Sequence, residues 1–385
     1  MSKEKYDNNI RQQCMSLGEL SSAQVKGALK GIKQSIPIDE LKKVRRIYLT
    51  GCGDSYMAAQ ISLEAFKKYA SKFGHDFFAL RSIEVARDFD IDPSSAEASL
   101  LIAISASGGP ARVQEALQRA NDLGIATMLV TNSPESASAK VAQHTLEVFT
   151  PPFETSGPGL RNFYASLTAL FLFAAHFGEV KGTVEEGALA DLSEKIVSYT
   201  LKAEESFETH DDNAYELMKT WAEYPTFDCV GDSFYYYIAS FIRAKFVETA
   251  GAMVSLIDSE NWCHVHYFKG NPETTPLILV AAEGDKNSTR IAETVKQAKA
   301  INRPVAVIST GDDYVLGAED KVFVYPAADE DYQFLEALYS FVPGSLLSSY
   351  YAAMNEEPYF RGGGVWSEGS NNTIKTSKII RLEEA

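Results

Sequence analysis

The sequence predicts an α/β protein made of two copies of one unit, each a parallel sheet covered on both faces by helices. Three observations carry this reading. Short, continuous apolar runs alternate with amphipathic helical stretches, the signature of strands buried on both faces. Two of those runs end in glycine- and serine-rich turns that open a helix. The whole pattern then occurs a second time.

Taken in order, Ile10, Met15, Leu17, Leu20, Val25, Leu29 and Ile32 recur at helical spacing, interrupted by Gly18, Gly27 and Gly31. They predict one or two helices ended by Pro37. Residues 46–50 read as a strand, Gly51-Cys52-Gly53-Asp54-Ser55 as its turn, and 56–69 as a helix. Residues 99–105 form the next strand, 106–110 the turn and 111–123 the helix, followed by a strand from Ala126 to Thr131. The second copy has Phe227 to Ser233, a helix over 234–248, a strand from Leu277, a helix over 288–301 and a strand from Val305 to Ser309. Between the copies, 161–222 reads as wholly helical, and the tail after Glu356, which contains Trp366, is rich in Gly, Ser and Asn and reads as either a free terminus or a cover for a site. The expected division is therefore N-terminal helices over 1–40, one domain over 41–195, a second over 196–355 and a tail over 356–385.

With 385 residues, 45% of them hydrophobic, the chain is large enough for two cores. Its net charge of −16 argues against a nucleic-acid partner, which rewards clustered Lys and Arg. It also removes any general positive field for an anionic substrate, so a phosphate must be held by local backbone donors and a few side chains. Cys14, Cys52, Cys229 and Cys263 lack metal-ligand spacing and read as reduced, mostly buried thiols. The N-terminus is too polar for a signal peptide, and the apolar run Phe171 to Phe177 is too short to span a bilayer, so the expected location is cytoplasmic.

Ser105-Ala106-Ser107-Gly108-Gly109 joins a strand to a helix N-terminus, the geometry that presents free N–H groups and a positive dipole end to an anion. The loop has no Walker lysine and the chain no dinucleotide fingerprint. From the loop alone, phosphate binding and simple helix capping stand equal.

These residues resemble the SIS (sugar isomerase) domain family, in particular the isomerase half of glucosamine-6-phosphate synthase. The family pattern of Gly-x-Ser and, about fifty residues on, Ser-x-Ser-Gly-x-Thr is matched by Gly53-Asp54-Ser55 and by Ser105 to Pro110, with proline in place of the final threonine. The resemblance runs from about residue 40 to 355 and implies two tandem SIS domains, each a flavodoxin-like three-layer αβα sandwich. It implies phosphate binding by Gly53, Ser55, Ser105, Ser107 and Gly108, a further substrate contact at Glu154, with Arg161 seven residues on, and a degenerate second loop at Glu283-Gly284-Asp285. It matches Lys245-Phe-Val-Glu248 to the family's catalytic Lys-x-x-Glu, and His264, in Glu260-Asn-Trp-Cys-His264, to its ring-opening histidine, with the spacing one residue longer and no following glycine. The family's glutaminase half is not seen in this chain, so the expectation is that it takes no ammonia from glutamine.

Moving a proton between C1 and C2 of a sugar phosphate needs one carboxylate beside both carbons, which the resemblance assigns to Glu248. Lys245, one turn away, is placed to stabilise the developing oxyanion or form an imine, and His264 to open the ring. By spacing alone Glu248 reads as a surface acid paired with Lys245, which the resemblance reverses, and His264 and His266 are equally packing or surface residues. His264-Val-His266 has no third ligand at useful spacing, so no metal and no cofactor are expected. The aromatic run Phe234 to Tyr237 reads as core and subunit interface.

The resemblance thus implies an enzyme acting on a hexose 6-phosphate or its amino derivative by enediol or enolamine proton transfer: isomerase, deaminase or deglycase. The degradative direction is favoured. A non-catalytic sugar-phosphate sensor is the alternative, and a phosphopentose isomerase a weaker one. Expected partners are a small-molecule sugar phosphate and further copies of the chain in a homodimer or larger assembly, with neither nucleic acid nor membrane.

Overall fold

The computed structural model describes residues 3–71, 74–151, 153, 157–314, 316–317, 320–357, 360–361 and 373–381. The chain divides into two compact units that interleave along the sequence. The first comprises Glu19–Pro152, Arg161–Ser198 and Val365–Ala385; the second comprises Met1–Gly18, Phe153–Leu160 and Tyr199–Gly364.

The first unit holds five parallel strands: β1 (Arg46–Gly51), β2 (Asp76–Arg81), β3 (Ser99–Ile104), β4 (Ala126–Thr131) and β5 (His144–Glu147), ordered β2-β1-β3-β4-β5. The second holds β6 (Thr226–Gly231), β7 (Met253–Ile257), β8 (Leu277–Val280), β9 (Val305–Ser309) and β10 (Lys321–Val324), ordered β7-β6-β8-β9-β10. The two orders are the same, with the reversal of direction falling between β1 and β3 and between β6 and β8. Ligands of open α/β sheets sit at that switch, outside the carboxyl ends of the strands.

The duplication extends to the cores. In the first unit Leu101, Ala103 and Leu129 pack beneath Val113, Leu117 and Ala120 of the helix Ala111–Asp122. In the second, Leu277, Leu279 and Val307 meet Ile291, Val295 and Ala298 of the helix Ser288–Ala300. Both helices present apolar residues at the same four- and three-residue steps, so each covers its sheet with one stripe.

Gly18, Gly27 and Gly31 do not break the early helix, which runs unbroken over Leu17–Ser35. They are close-approach positions: a Cβ on Gly31 would strike the Glu147 carbonyl, and one on Gly27 the Phe149 side chain. The apolar run 171–177 lies inside a longer helix, Leu160–Lys181, whose 22 residues are long and apolar enough by composition to cross a bilayer. The sequence reading undercounted it, because the helix is apolar on nearly every face. It serves as a core helix, with 83% of its most apolar window buried inside the protein. Of the cysteines, Cys14 and Cys229 are buried, Cys263 is half-buried and Cys52 is exposed in the turn after β1.

Candidate functional site

In the first unit, the turns after β1 and β3 stand side by side, because Gly51 pairs with Ile104 at the carboxyl end of the sheet. This is the switch point. After β1, Gly53 takes φ 54° and ψ −127° and caps the helix Asp54–Ala70, which places Ser55 in the first turn. After β3, Ser105 is buried, Ser107 is exposed and Gly108 is buried at φ 56°.

The loop is tied down by its own polar groups. The Gly108 N–H donates to the Ser105 hydroxyl at 3.1 Å, and the Gly109 N–H to the Ser107 hydroxyl at 3.3 Å. Each hydroxyl therefore accepts one backbone proton and keeps its own to donate to an anion. From β4 and the loop after it, Thr131 Oγ1 and the Asn132 N–H hold the Ala106 carbonyl, at 3.2 and 3.1 Å. The Ser138 N–H holds the Gly108 carbonyl at 3.1 Å. A Cβ on Gly108 would lie on the Ser136 hydroxyl, so the position needs glycine for both conformation and space. Pro110, at the N-cap, contributes neither an N–H nor a side-chain cap.

Sequence reasoning left the tail open as a free terminus or a cover. Its described part, 373–381, packs on the helix Ala111–Asp122 that follows the Ser105–Gly109 loop. The Ala111 N–H donates to the Ile374 carbonyl at 2.8 Å, and the Lys375 side chain lies over Gly109. Arg112 donates to the Ser377 hydroxyl at 2.5 Å, and the Ile380 N–H donates to the buried Glu115 at 3.0 Å. The apolar pair Ile379-Ile380 was the one signal that this stretch docks. Trp366 and Glu154 lie outside the described residues.

In the second unit, Lys245 and Glu248 share the helix Tyr235–Ala250, and Lys245 Nζ donates to Glu248 Oε2 at 2.7 Å. The Lys245 side chain is fully buried with its ammonium 4.4 Å from the Phe241 ring centre, while the Glu248 side chain is 37% exposed. The Arg361 N–H donates to the Glu248 carbonyl at 2.7 Å. His264 is elsewhere in the unit. It ends the short helix Ser259–His264 that follows β7, is 69% exposed, and meets Glu260 at 2.8 Å, which in turn pairs with Arg290. Glu248 precedes the amino end of β7 and His264 follows its carboxyl end, so a five-residue strand about 16 Å long stands between them. At the switch between β6 and β8, the turns keep Ser233 and Gly284 but also carry Asp232, Glu283 and Asp285. Among the described residues, no group of three or more His, Cys, Asp or Glu is placed to hold a metal ion.

The SIS domain family model matches residues 40–176, the stretch that carries all five strands of the first unit. Residues 40–176 are a SIS domain. Beyond it, the chain is similar to the glutamine–fructose-6-phosphate aminotransferase (isomerizing) of Bacillus thuringiensis, with 27% identity over 319 residues. That alignment covers 81% of this chain and 49% of the relative, so the chain spans about half the length of the protein it matches. The C-terminal domain of glucosamine-fructose-6-phosphate aminotransferase from Francisella tularensis superposes at TM-score 0.78 and 18% identity, over 92% of this chain and 98% of that one. The tagatose-6-phosphate ketose/aldose isomerase of Escherichia coli does so at TM-score 0.69 and 14% identity, over 95% and 98%. The tandem SIS fold thus extends beyond the matched domain to the second sheet.

Proposed function

We propose that the chain is an enzyme that binds a hexose 6-phosphate, or its amino derivative, through the SIS loop and shuttles a proton between its first two carbons. What supports this most is the loop itself: two serine hydroxyls and a glycine-shaped turn at a switch point, inside the SIS domain. In this reading Ser55, Ser105 and Ser107 donate to the phosphate, and Gly53 and Gly108 let the backbone approach it. Glu154 contacts the substrate elsewhere. The Glu248 carboxylate takes the proton from C2 and returns it to C1, and Lys245 donates to the oxygen that gains charge as the enediol or enolamine forms. His264 protonates the ring oxygen to open the sugar; standing past the far end of β7 from Glu248, it does so in a neighbouring copy's site, which makes the working form a homodimer or larger. The first SIS domain runs over 41–195 and binds phosphate, the second runs over 196–355 and supplies Lys245 and Glu248, and the protein works in the cytoplasm. The reaction is an isomerisation, a deamination or a deglycation, with the degradative direction favoured.

A second reading, a sugar-phosphate sensor without turnover, is favoured by two observations. Pro110 withholds one hydroxyl donor, and the Glu248 carboxylate is already engaged by Lys245. A thermal-shift screen of hexose 6-phosphates, amino sugar 6-phosphates and fructosamine 6-phosphates tests binding, since a ligand at 100 times its Kd adds about 2.7 kcal/mol to stability. Stabilisation without turnover in the wild type, unchanged in Glu248→Gln, selects the sensor. No stabilisation by any phosphorylated sugar rejects both readings.

A further inference from the structure

The duplicated fold allows the two units to be compared position by position, and they part company at one place. In β1, Tyr48 stacks on Phe78 of β2 with ring centres 5.3 Å apart, and Tyr48 also packs against Phe89 in one cluster with Ile125. The equivalent strand positions in the second unit are Asp228 of β6 and Ser255 of β7, which are register partners just as Tyr48 and Phe78 are. Where Ile125 follows its helix, Arg303 follows the helix Ser288–Ala300, and each donates its N–H to the helix's last alanine of the apolar stripe. An aromatic and aliphatic cluster has thus been rebuilt as a buried polar one. Asp228 accepts from Arg303 at 2.8 Å, Lys269 at 2.5 Å, Ser255 at 2.7 Å and the Trp262 indole at 3.3 Å.

That cluster is a costly replacement for apolar packing, since a buried ion pair rarely outperforms hydrophobic groups of the same volume. Its charges also do not cancel. One carboxylate faces two cations, the buried Arg303 and the partly exposed Lys269, which leaves a surplus positive charge. Directly above lies an open cleft of 740 Å³ at the amino ends of β6 and β7, lined among others by Thr226, Arg243, Ser255, Lys269, Asn271 and Thr275. Among the described residues no carboxylate lines it, in a chain whose net charge is −16. Arg243 uses only its Nε, donating to the Val254 carbonyl at 3.2 Å; its two Nη groups make no hydrogen bond or ion pair among the described residues. The same holds for the Gly270 N–H and the Asn271 side-chain amide. Converging donors, hydroxyls and surplus positive charge fit a dianionic group, and a guanidinium fork matches phosphate oxygens in pairs. The cleft falls within the size range of small-molecule sites. It also lies at the end of the sheet opposite the β6–β8 switch, so it is not a relic of the unit's lost phosphate loop.

We propose that the cleft between β6, β7 and the helix Tyr235–Ala250 is a second ligand site, for a small phosphate monoester held by Arg243 and Lys269. It is distinct from the SIS loop and suited to an effector. Isothermal titration of the full chain with sorbitol 6-phosphate, which has no carbonyl to be turned over, counts the sites. The wild type is expected to show two per chain. Arg243→Met removes one, weakening it at least tenfold; Arg243→Lys recovers part of the affinity; and the double variant Ser105→Ala/Ser107→Ala removes the other. If the loop assignment is wrong and this one right, a single site appears that Arg243→Met abolishes and the double serine variant leaves intact. A folded Arg243→Met protein that keeps every site within twofold of wild-type affinity overturns the proposal. Should that variant fail to fold, Asn271→Ala carries the same expectation at threefold or more, and unchanged affinity there overturns it equally. Inorganic phosphate binding as tightly as the ester assigns the site to free phosphate, within the same chemistry, whereas sorbitol binding as tightly as its phosphate overturns it.

Discussion

Glu336 gives the second unit a pH-dependent stability that can be calculated in advance. The carboxyl is 2% exposed, accepts from the Tyr235 hydroxyl at 2.6 Å and the Ala328 N–H at 3.2 Å, and lies 3.5 Å from the Tyr325 hydroxyl. Burial pushes it up from 4.5 to about 7, against the opposing pull of those hydrogen bonds. The folded protein therefore holds this proton more tightly than the unfolded chain. Its contribution is complete below pH 4.5, declines as pH rises through the window from 4.5 to about 7, and is flat above. A shift of this size corresponds to about 3 kcal/mol over the window, at about 1.4 kcal/mol per pH unit. Glu336→Gln keeps a neutral, hydrogen-bonding side chain of the same shape and removes the titration. Urea unfolding followed by tryptophan fluorescence reports on this unit, since Trp221 and Trp262 are both buried in it. The stability of wild type minus variant is expected to fall steadily from pH 5 to pH 7 and then level off. A difference that stays constant from pH 5 to pH 8 refutes the reasoning.

The remaining predictions concern the loop and the buried cluster. Gly108→Ala is expected to cost about 1–2 kcal/mol for its left-handed backbone alone, more for the contact with Ser136, and to weaken sugar-phosphate binding at least tenfold; thermal melting and titration check both. Asp228→Ala leaves Arg303 buried without its carboxylate and is expected to destabilise the second unit by about 3–5 kcal/mol, read by urea midpoint. Burial pushes the Asp228 carboxyl up, but the hydrogen bonds from Lys269 and Ser255 and the charges of Lys269 and Arg303 outweigh it and hold it below the usual range. Its contribution is accordingly present above an ordinary aspartate's pKa and lost on acidification. Stability of wild type and variant should converge in acid, and parallel pH profiles would count against the network.

How much of this was legible in the sequence follows from where each strand sits. The six strands that announced themselves as apolar runs, β1, β3, β4, β6, β8 and β9, are the interior strands of the two sheets. The four that did not, β2, β5, β7 and β10, are the edges. Edge strands are covered on fewer sides, so β2 and β7 alternate or stay half-exposed and β5 and β10 keep one buried residue each. The helices after each glycine turn were legible to within two residues, because Gly53, Pro110 and Gly251 mark their ends. The turn Ser105 to Gly109 was readable because its residues are contiguous. The Asp228 cluster was not, because its members come from β6, β7, the helix and loop after it and the turn before β9, and only folding brings them together. Arg303 in particular reads as a surface residue after a helix, yet it is fully buried.

The central claim is that a sugar phosphate held by the SIS loop loses and regains a proton at Glu248. Incubating the protein with fructose 6-phosphate or glucosamine 6-phosphate in deuterated water, then reading the recovered sugar by NMR, tests it most directly. Deuterium at C1 or C2 with the wild type, and a loss of at least a hundredfold in Glu248→Gln while binding persists, is the predicted result. Exchange that survives in Glu248→Gln, or bound sugar phosphate that never exchanges in the wild type, contradicts it.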